Sequence, residues 1–130
     1  MLPGDISPRL PGGTLLFTGY DDHWLKVGEQ RYTAGLCLHA GSVTSPWGPE
    51  QLAGLTIGHL EPLLDPQPEV LIIGTGRLTR FPSAEIMEWL AGRHVGFECM
   101  DSRAAARTYN ILVGEGREVS AAMLLPDADD

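Results

Sequence analysis

The residues best suited to chemistry lie in "VLIIGTGRLTRFPSAEI", positions 70 to 86. An apolar run enters Gly74-Thr75-Gly76, meets Arg77 and Arg80, passes Phe81 and opens a helix-like stretch. Three roles fit such a segment: a nucleotide-binding turn, an anion cradle without a nucleotide, or a tight strand-to-helix connection. The dinucleotide fingerprint requires a third glycine for helix packing where this chain has Thr79, and no Gly-Lys-Ser or Gly-Lys-Thr supplies a phosphate loop. An anion site stays open, because N–H groups at a helix start near Pro82 would face the end of the strand. Arg77, Arg80 and Arg107 would then form the clamp. The competing reading has these arginines and Arg103 paired with Glu85, Glu88, Glu98 and Asp101 as ordinary surface charge.

Other chemistries find less support. His23, His39, His59 and His94 are scattered, with no i, i+4 pair and no neighbouring cysteine, which disfavours a zinc site. Cys37 and Cys99 stand alone on apolar stretches, the usual setting of core thiols. No nucleophile elbow is present. No metal, cofactor or catalytic residue is therefore expected. Thr108 and Asn110 are polar within a core-directed helix, a pattern that favours a structural hydrogen bond to a neighbouring loop. Trp24, Trp47 and Phe81 offer either an exposed patch for a protein partner or plugs in a small core.

The elements that must position these residues are readable from pattern. "VLIIG" is a continuous apolar run, as in a strand covered on both faces. "PSAEIMEWLAG" reads as a helix with Pro82 in its first turn, Gly92 as its stop, and Ile86, Trp89 and Leu90 on one stripe. "VGFECM" is a second strand, and "SRAAARTYNILVGEG" a second helix capped by Asp101 or Ser102 with Ala105, Tyr109 and Leu112 inward. "EVSAAMLL" closes the series as a third strand. Parallel strands with right-handed crossover helices are the expected arrangement. Upstream, "HWLKVGEQRY" predicts two strands about a tight turn, and Leu36 to His39 a further strand, giving an antiparallel meander.

The predicted fold class is thus α/β, with a meander at the front and strand-helix-strand units behind, joined within one sheet. The predicted organisation is a flexible arm over 1–13, a single domain over 14–125 and a solvated acidic tail over 126–130. A chain of 130 residues with 43% hydrophobic composition suits one core.

Charge narrows the partners. The net charge of −8 opposes nonspecific attraction to nucleic acid or anionic membrane surfaces. Its distribution is uneven: residues 1–69 carry a net −5, residues 70–117 a net +1, and residues 118–130 a net −4. Arginines concentrate where strands hand over to helices, at the end of an open α/β sheet where ligands usually lie. No apolar run approaches a membrane span, and the opening residues resemble neither a signal peptide nor a transit segment. A cytoplasmic protein is the expectation. Oligomeric state is not legible.

"PEVLIIGTGR", followed by "FPSAEIMEWLAGRHVGFECMDSRAAARTYNILVGEGREVSAAML", resembles a family of small domains of unassigned biochemistry. That family includes the mitochondrial respiratory complex I assembly factor 3 and the adipogenesis-associated domain proteins. The pairing of Gly-Thr-Gly-Arg with Arg-Thr-Tyr-Asn thirty residues on carries the likeness, which is strong from Pro68 to Leu124 and weak before Gly35. The resemblance implies a three-layer α/β fold with a mixed sheet and no established catalytic activity. For mitochondrial members it implies a role in building respiratory complex I through protein contacts. Relatives often carry a cysteine immediately before Arg-Thr-Tyr-Asn; Ala106 stands there, which argues against required thiol chemistry. A bacterial member is expected.

Two functions follow as expectations. One is a non-catalytic accessory or assembly protein binding a protein partner through the surface that includes Gly74, Thr75, Gly76, Arg77, Arg80 and Phe81, with Arg107 and Asn110 nearby. The alternative is a small-anion binder, or an enzyme acting on an anion, using the same turn and arginines.

Overall fold

A computed structural model describes residues 14–129. The arm expected over residues 1–13 lies outside the described residues.

The apolar run at 70 forms the centre of a five-stranded sheet. β6 (Val70–Gly74) pairs in parallel with β7 (Gly96–Met100) on one side and β8 (Val119–Met123) on the other. All five β6 residues are buried, as the unbroken apolar run predicts. β8 also pairs antiparallel with β4 (Leu36–His39), whose hairpin partner β5 (Ser42–Thr44) completes the order β5-β4-β8-β6-β7. The sheet is therefore mixed.

The front meander is a separate sheet packed on the same core. β1 (Phe17–Asp21), β2 (Trp24–Val27) and β3 (Gln30–Tyr32) form their own antiparallel sheet, with the expected turn at Gly28 and Glu29 between β2 and β3. This corrects the expectation of one continuous sheet: only the β4–β5 hairpin joins the crossover units, and it does so through β8.

Three layers result because the strand period is two. Leu71 and Ile73 of β6, Cys37 of β4 and Ala122 of β8 face a core with Ile86 and Leu90 of α2 (Ala84–Gly92). The short α1 (Ile57–Leu60) and its flanking 3-10 turns add Leu52, Leu60, Leu63 and Leu64 to the same side. Val70, Ile72, Leu36, Leu38, Ala121 and Met123 face the other core. There Ala105, Ala106 and Tyr109 of α3 (Ser102–Gly114) pack with Phe17, Leu25 and Val27 of the meander. The opposite placement of α2 and α3 follows from handedness, since the chain steps from β6 out to β7 and then back across β6 to β8.

The helix caps refine the sequence reading, one by correction and one by choosing between its candidates. Pro82 precedes α2 instead of entering its first turn; Ser83 is the cap, its hydroxyl accepting from the Ile86 N–H at 3.3 Å. Of the two candidates for the α3 cap, Asp101 takes the role, accepting from the Ala104 N–H at 3.0 Å. Residues 126–129 do not trail into solvent as expected. Pro126 is buried, the Asp127 N–H donates to the Asp22 carbonyl at 2.9 Å, and Ala128 meets the turn after β6.

Candidate functional site

The turn after β6 sits where α2 and α3 diverge to opposite faces of the sheet, the position at which open α/β sheets form a crevice. Here protein atoms fill that crevice. A Cβ at Gly74 would lie 2.8 Å from the Met123 sulfur and 3.0 Å from Ser102 Oγ, so this glycine allows β8 and the first turn of α3 to close on the strand end. Gly76 has φ +98°, and a Cβ there would stand 2.4 Å from the Ala128 carbonyl oxygen. The close approach that a dinucleotide site reserves for pyrophosphate is given to the chain's own backbone.

The turn's amides are spent the same way. The Thr75 N–H donates to the Met100 carbonyl at 2.8 Å, and that of Gly76 to Ser102 Oγ at 2.9 Å. Arg77 N–H donates to the Ala128 carbonyl at 2.9 Å, and Arg80 N–H to Thr75 Oγ1 at 3.2 Å. Thr75 is buried and its hydroxyl lies 2.7 Å from the Leu78 carbonyl, while the Asp101 N–H donates to Thr79 Oγ1 at 3.1 Å. A phosphate cradle needs several amides converging on open space. This turn holds its backbone rigid by directing them inward.

What it presents outward is side chain. Phe81 is 67% exposed and Leu78 47%, in a protein whose exposed large hydrophobics otherwise comprise Ile111 among the described residues. Arg77 and Arg80 flank them, also exposed. The result is a basic, apolar knuckle on a fixed base.

The four arginines do not converge, nor do they meet the carboxylates expected from sequence. Arg77 pairs with Asp129 at 3.1 Å, Arg103 with Asp22, and Arg107 donates to the Tyr20 hydroxyl at 2.6 Å. Among the described residues Arg80 makes no ion pair. Asn110 lies away from the knuckle. Its side-chain amide donates to the Phe17 carbonyl at 2.7 Å and its oxygen accepts from the Phe17 N–H at 2.9 Å, standing where a neighbouring strand's peptide would stand beside β1. The structure thus groups Gly74, Thr75, Gly76, Arg77, Arg80 and Phe81 in one turn, and puts Arg107 and Asn110 on the face of α3 toward the meander.

The aromatic alternatives separate clearly. Trp24 lies under the Arg31 guanidinium, 4.1 Å from its ring centre. Trp47 packs against the first core and its indole N–H donates to the His59 carbonyl at 3.2 Å. Both are half-buried, whereas Phe81 is exposed. The thiols are unsuited to nucleophilic work: burial raises Cys37, and burial pushes Cys99 up to about 11. Among the described residues no group of three or more His, Cys, Asp or Glu side chains is arranged to hold a metal ion.

Sequence reasoning missed Leu78, Ser102 and Ala128 as parts of this site. Ser102 was visible only as a capping candidate, and the Ala128 contribution is a carbonyl, which no residue type advertises.

A family profile described as "Protein of unknown function (DUF498/DUF598)" matches residues 17–124. The chain belongs to this family. An uncharacterized Rhodobacter capsulatus protein is 34% identical over 123 residues, covering 92% of this chain and 93% of that one. The zebrafish (Danio rerio) NADH dehydrogenase [ubiquinone] 1 alpha subcomplex assembly factor 3 is 42% identical over 66 residues, which cover 51% of this chain and 38% of the factor. The match to the assembly factor therefore involves a minor part of its length. Among solved structures, a Bordetella parapertussis protein superposes with a TM-score of 0.78 at 37% identity, covering 85% of this chain and 95% of that one. The resemblance read from the Gly-Thr-Gly-Arg turn and the Arg-Thr-Tyr-Asn segment, and the mixed α/β fold of this family member, both hold. No helix among the described residues is long and apolar enough to cross a membrane.

Proposed function

We propose that this family member is a non-catalytic accessory protein that acts in the cytoplasm through protein contacts, with assembly of a respiratory complex as its setting. The observation that carries the reading is the 77–81 knuckle: Leu78 and Phe81 held in solvent, flanked by arginines, on a turn that directs the amides of Thr75, Gly76, Arg77 and Arg80 inward. Exposed aromatic and arginine side chains are the residue types that anchor protein interfaces. The match to assembly factor 3 supports the setting, and the raised thiols and inward amides favour contact over chemistry.

An anion drawing on the Gly76 or Arg77 amide would have to displace Ser102 or Ala128, and would meet Arg77 already paired with Asp129. The geometry therefore favours the protein partner over the anion.

The test is affinity purification of the tagged chain from its own cells, with native mass spectrometry of the eluate, beside the Phe81→Asp variant. A stoichiometric protein recovered by the wild type and lost by the variant supports the reading. Recovery of no protein, together with unchanged respiratory-complex assembly on gene deletion, would overturn it.

A further inference from the structure

Beside the knuckle lies a cleft of about 440 Å³, within the range of cavities that take side-chain or ligand anchors. Trp47, Pro49 and Leu125 supply apolar walls, and Glu50 and Asp127 supply negative charge. The two surfaces adjoin at Ala128, whose carbonyl receives the Arg77 N–H while the residue lines the cleft. They are complementary in character: exposed Phe81 and Leu78 with Arg80 on one, and on the other a hollow of mixed polarity in which Asp127 lies 3.7 Å from His23 and Asp22 pairs with Arg103, leaving Glu50 as the carboxylate that faces no cation among the described residues.

The knuckle cannot reach into its own cleft. Thr75 Oγ1 bonds to the Leu78 carbonyl and the Arg80 N–H, and Thr79 Oγ1 holds the Asp101 N–H, so the turn is fixed at both ends of its exposed segment. Among the described residues neither Arg80 nor Glu50 makes an ion pair. Adjoining complementary patches on one subunit satisfy each other when a second subunit is related by a two-fold axis between them.

The geometry points to a second copy of this chain as the occupant: each copy's Phe81 and Arg80 enter the other's cleft, with Arg80 facing Glu50, in a reciprocal dimer. The inference goes beyond the accessory role but uses the same knuckle. A foreign partner using the knuckle would compete with the second copy.

The closing experiment is sedimentation equilibrium and native mass spectrometry on the whole chain with Arg80→Glu, Glu50→Arg and Phe81→Asp variants, all at exposed positions. The wild type is expected to dimerise with Kd at or below about 100 μM, a modest association free energy for a contact of this kind. Each single variant is expected to weaken dimerisation at least about ten-fold through like-charge juxtaposition or a buried carboxylate. Mixing Arg80→Glu with Glu50→Arg is the decisive arm. Each contact of the mixed pair is again between opposite charges, so a one-to-one heterodimer should form where neither variant dimerises alone. A wild type that stays monomeric throughout that range overturns the inference. So does a dimer indifferent to these substitutions, or a mixture that fails to pair.

Discussion

Gly76→Ala is the substitution that most directly tests how the turn is built. An alanine there must adopt φ near +98°, outside the regions open to side chains with a Cβ, which costs at least about 1–2 kcal/mol. It must also place its Cβ 2.4 Å from the Ala128 carbonyl oxygen and 3.0 Å from the Ala128 Cβ. Backbone cannot yield that distance by rotating a side chain. Either overpacking strain of about 1–3 kcal/mol remains, or the 126–129 segment lifts and forfeits the Arg77-to-Ala128 hydrogen bond, worth about 0.5–1.5 kcal/mol. The loss of unfolding free energy is then about 2–5 kcal/mol by the first route and about 1.5–3.5 kcal/mol by the second. Gly116→Ala is the control, since Gly116 has φ +83° with no atom within 4 Å of its virtual Cβ, leaving the conformational cost alone. Urea denaturation followed by tryptophan fluorescence measures both. Equal losses in the two variants would refute the reasoning, because they would mean that Ala128 exerts no constraint on the turn.

Three further outcomes are expected. Asn110→Ala should cost about 1–3 kcal/mol, because two hydrogen bonds to the Phe17 backbone are lost, and amide exchange at Phe17 should accelerate more than exchange within β6. Native Cys99 should react with iodoacetamide at pH 8 about a hundred-fold more slowly than an unhindered thiol, its thiolate fraction being suppressed by burial, and should recover normal reactivity in urea. Glu69 is held below the ordinary carboxylate range by the Glu118 N–H and by Arg117, so its contribution is present above that range and lost as pH falls through the folded-state value. The stability gap between wild type and Glu69→Gln, followed by denaturation across acid pH, should accordingly close on acidification.

How much of this was readable in the residues depended on whether the signal was local. The β6 run, the stripe of α2, the small inward face of α3 and the turn at Gly28 all announce themselves within a few residues, and each formed where its pattern indicated. The departure of β4 from the meander did not. Its register is set by β8, with Cys37 opposite Ala122, and no short-range pattern records a partner so distant in sequence. The acidic tail misled for a different reason. Aspartates predict solvent, and Asp127 and Asp129 are indeed exposed, but the anchoring atoms are the Pro126 ring and the main chain of Asp127 and Ala128. At the candidate site, glycine spacing marked a turn and left three roles open: a nucleotide-binding turn, an anion cradle or a tight strand-to-helix connection. Which atoms close on that turn is decided by tertiary packing.

The position of β8 has a consequence for the order of assembly. It is synthesised after every strand that it joins, yet it alone links the β4–β5 hairpin to the β6–β7 pair. Until it arrives, β4 and β6 each present an open edge toward a vacancy, and the apolar residues of β6 wait with one neighbour missing. A chain emerging from the ribosome can therefore complete its hairpins and its first crossover unit early, but it cannot close either core. Closure is a single late, long-range event, the kind that loop entropy makes slow. The interval before it leaves the "VLIIG" edge open to non-native pairing, a hazard of unpaired strand edges in partly folded chains.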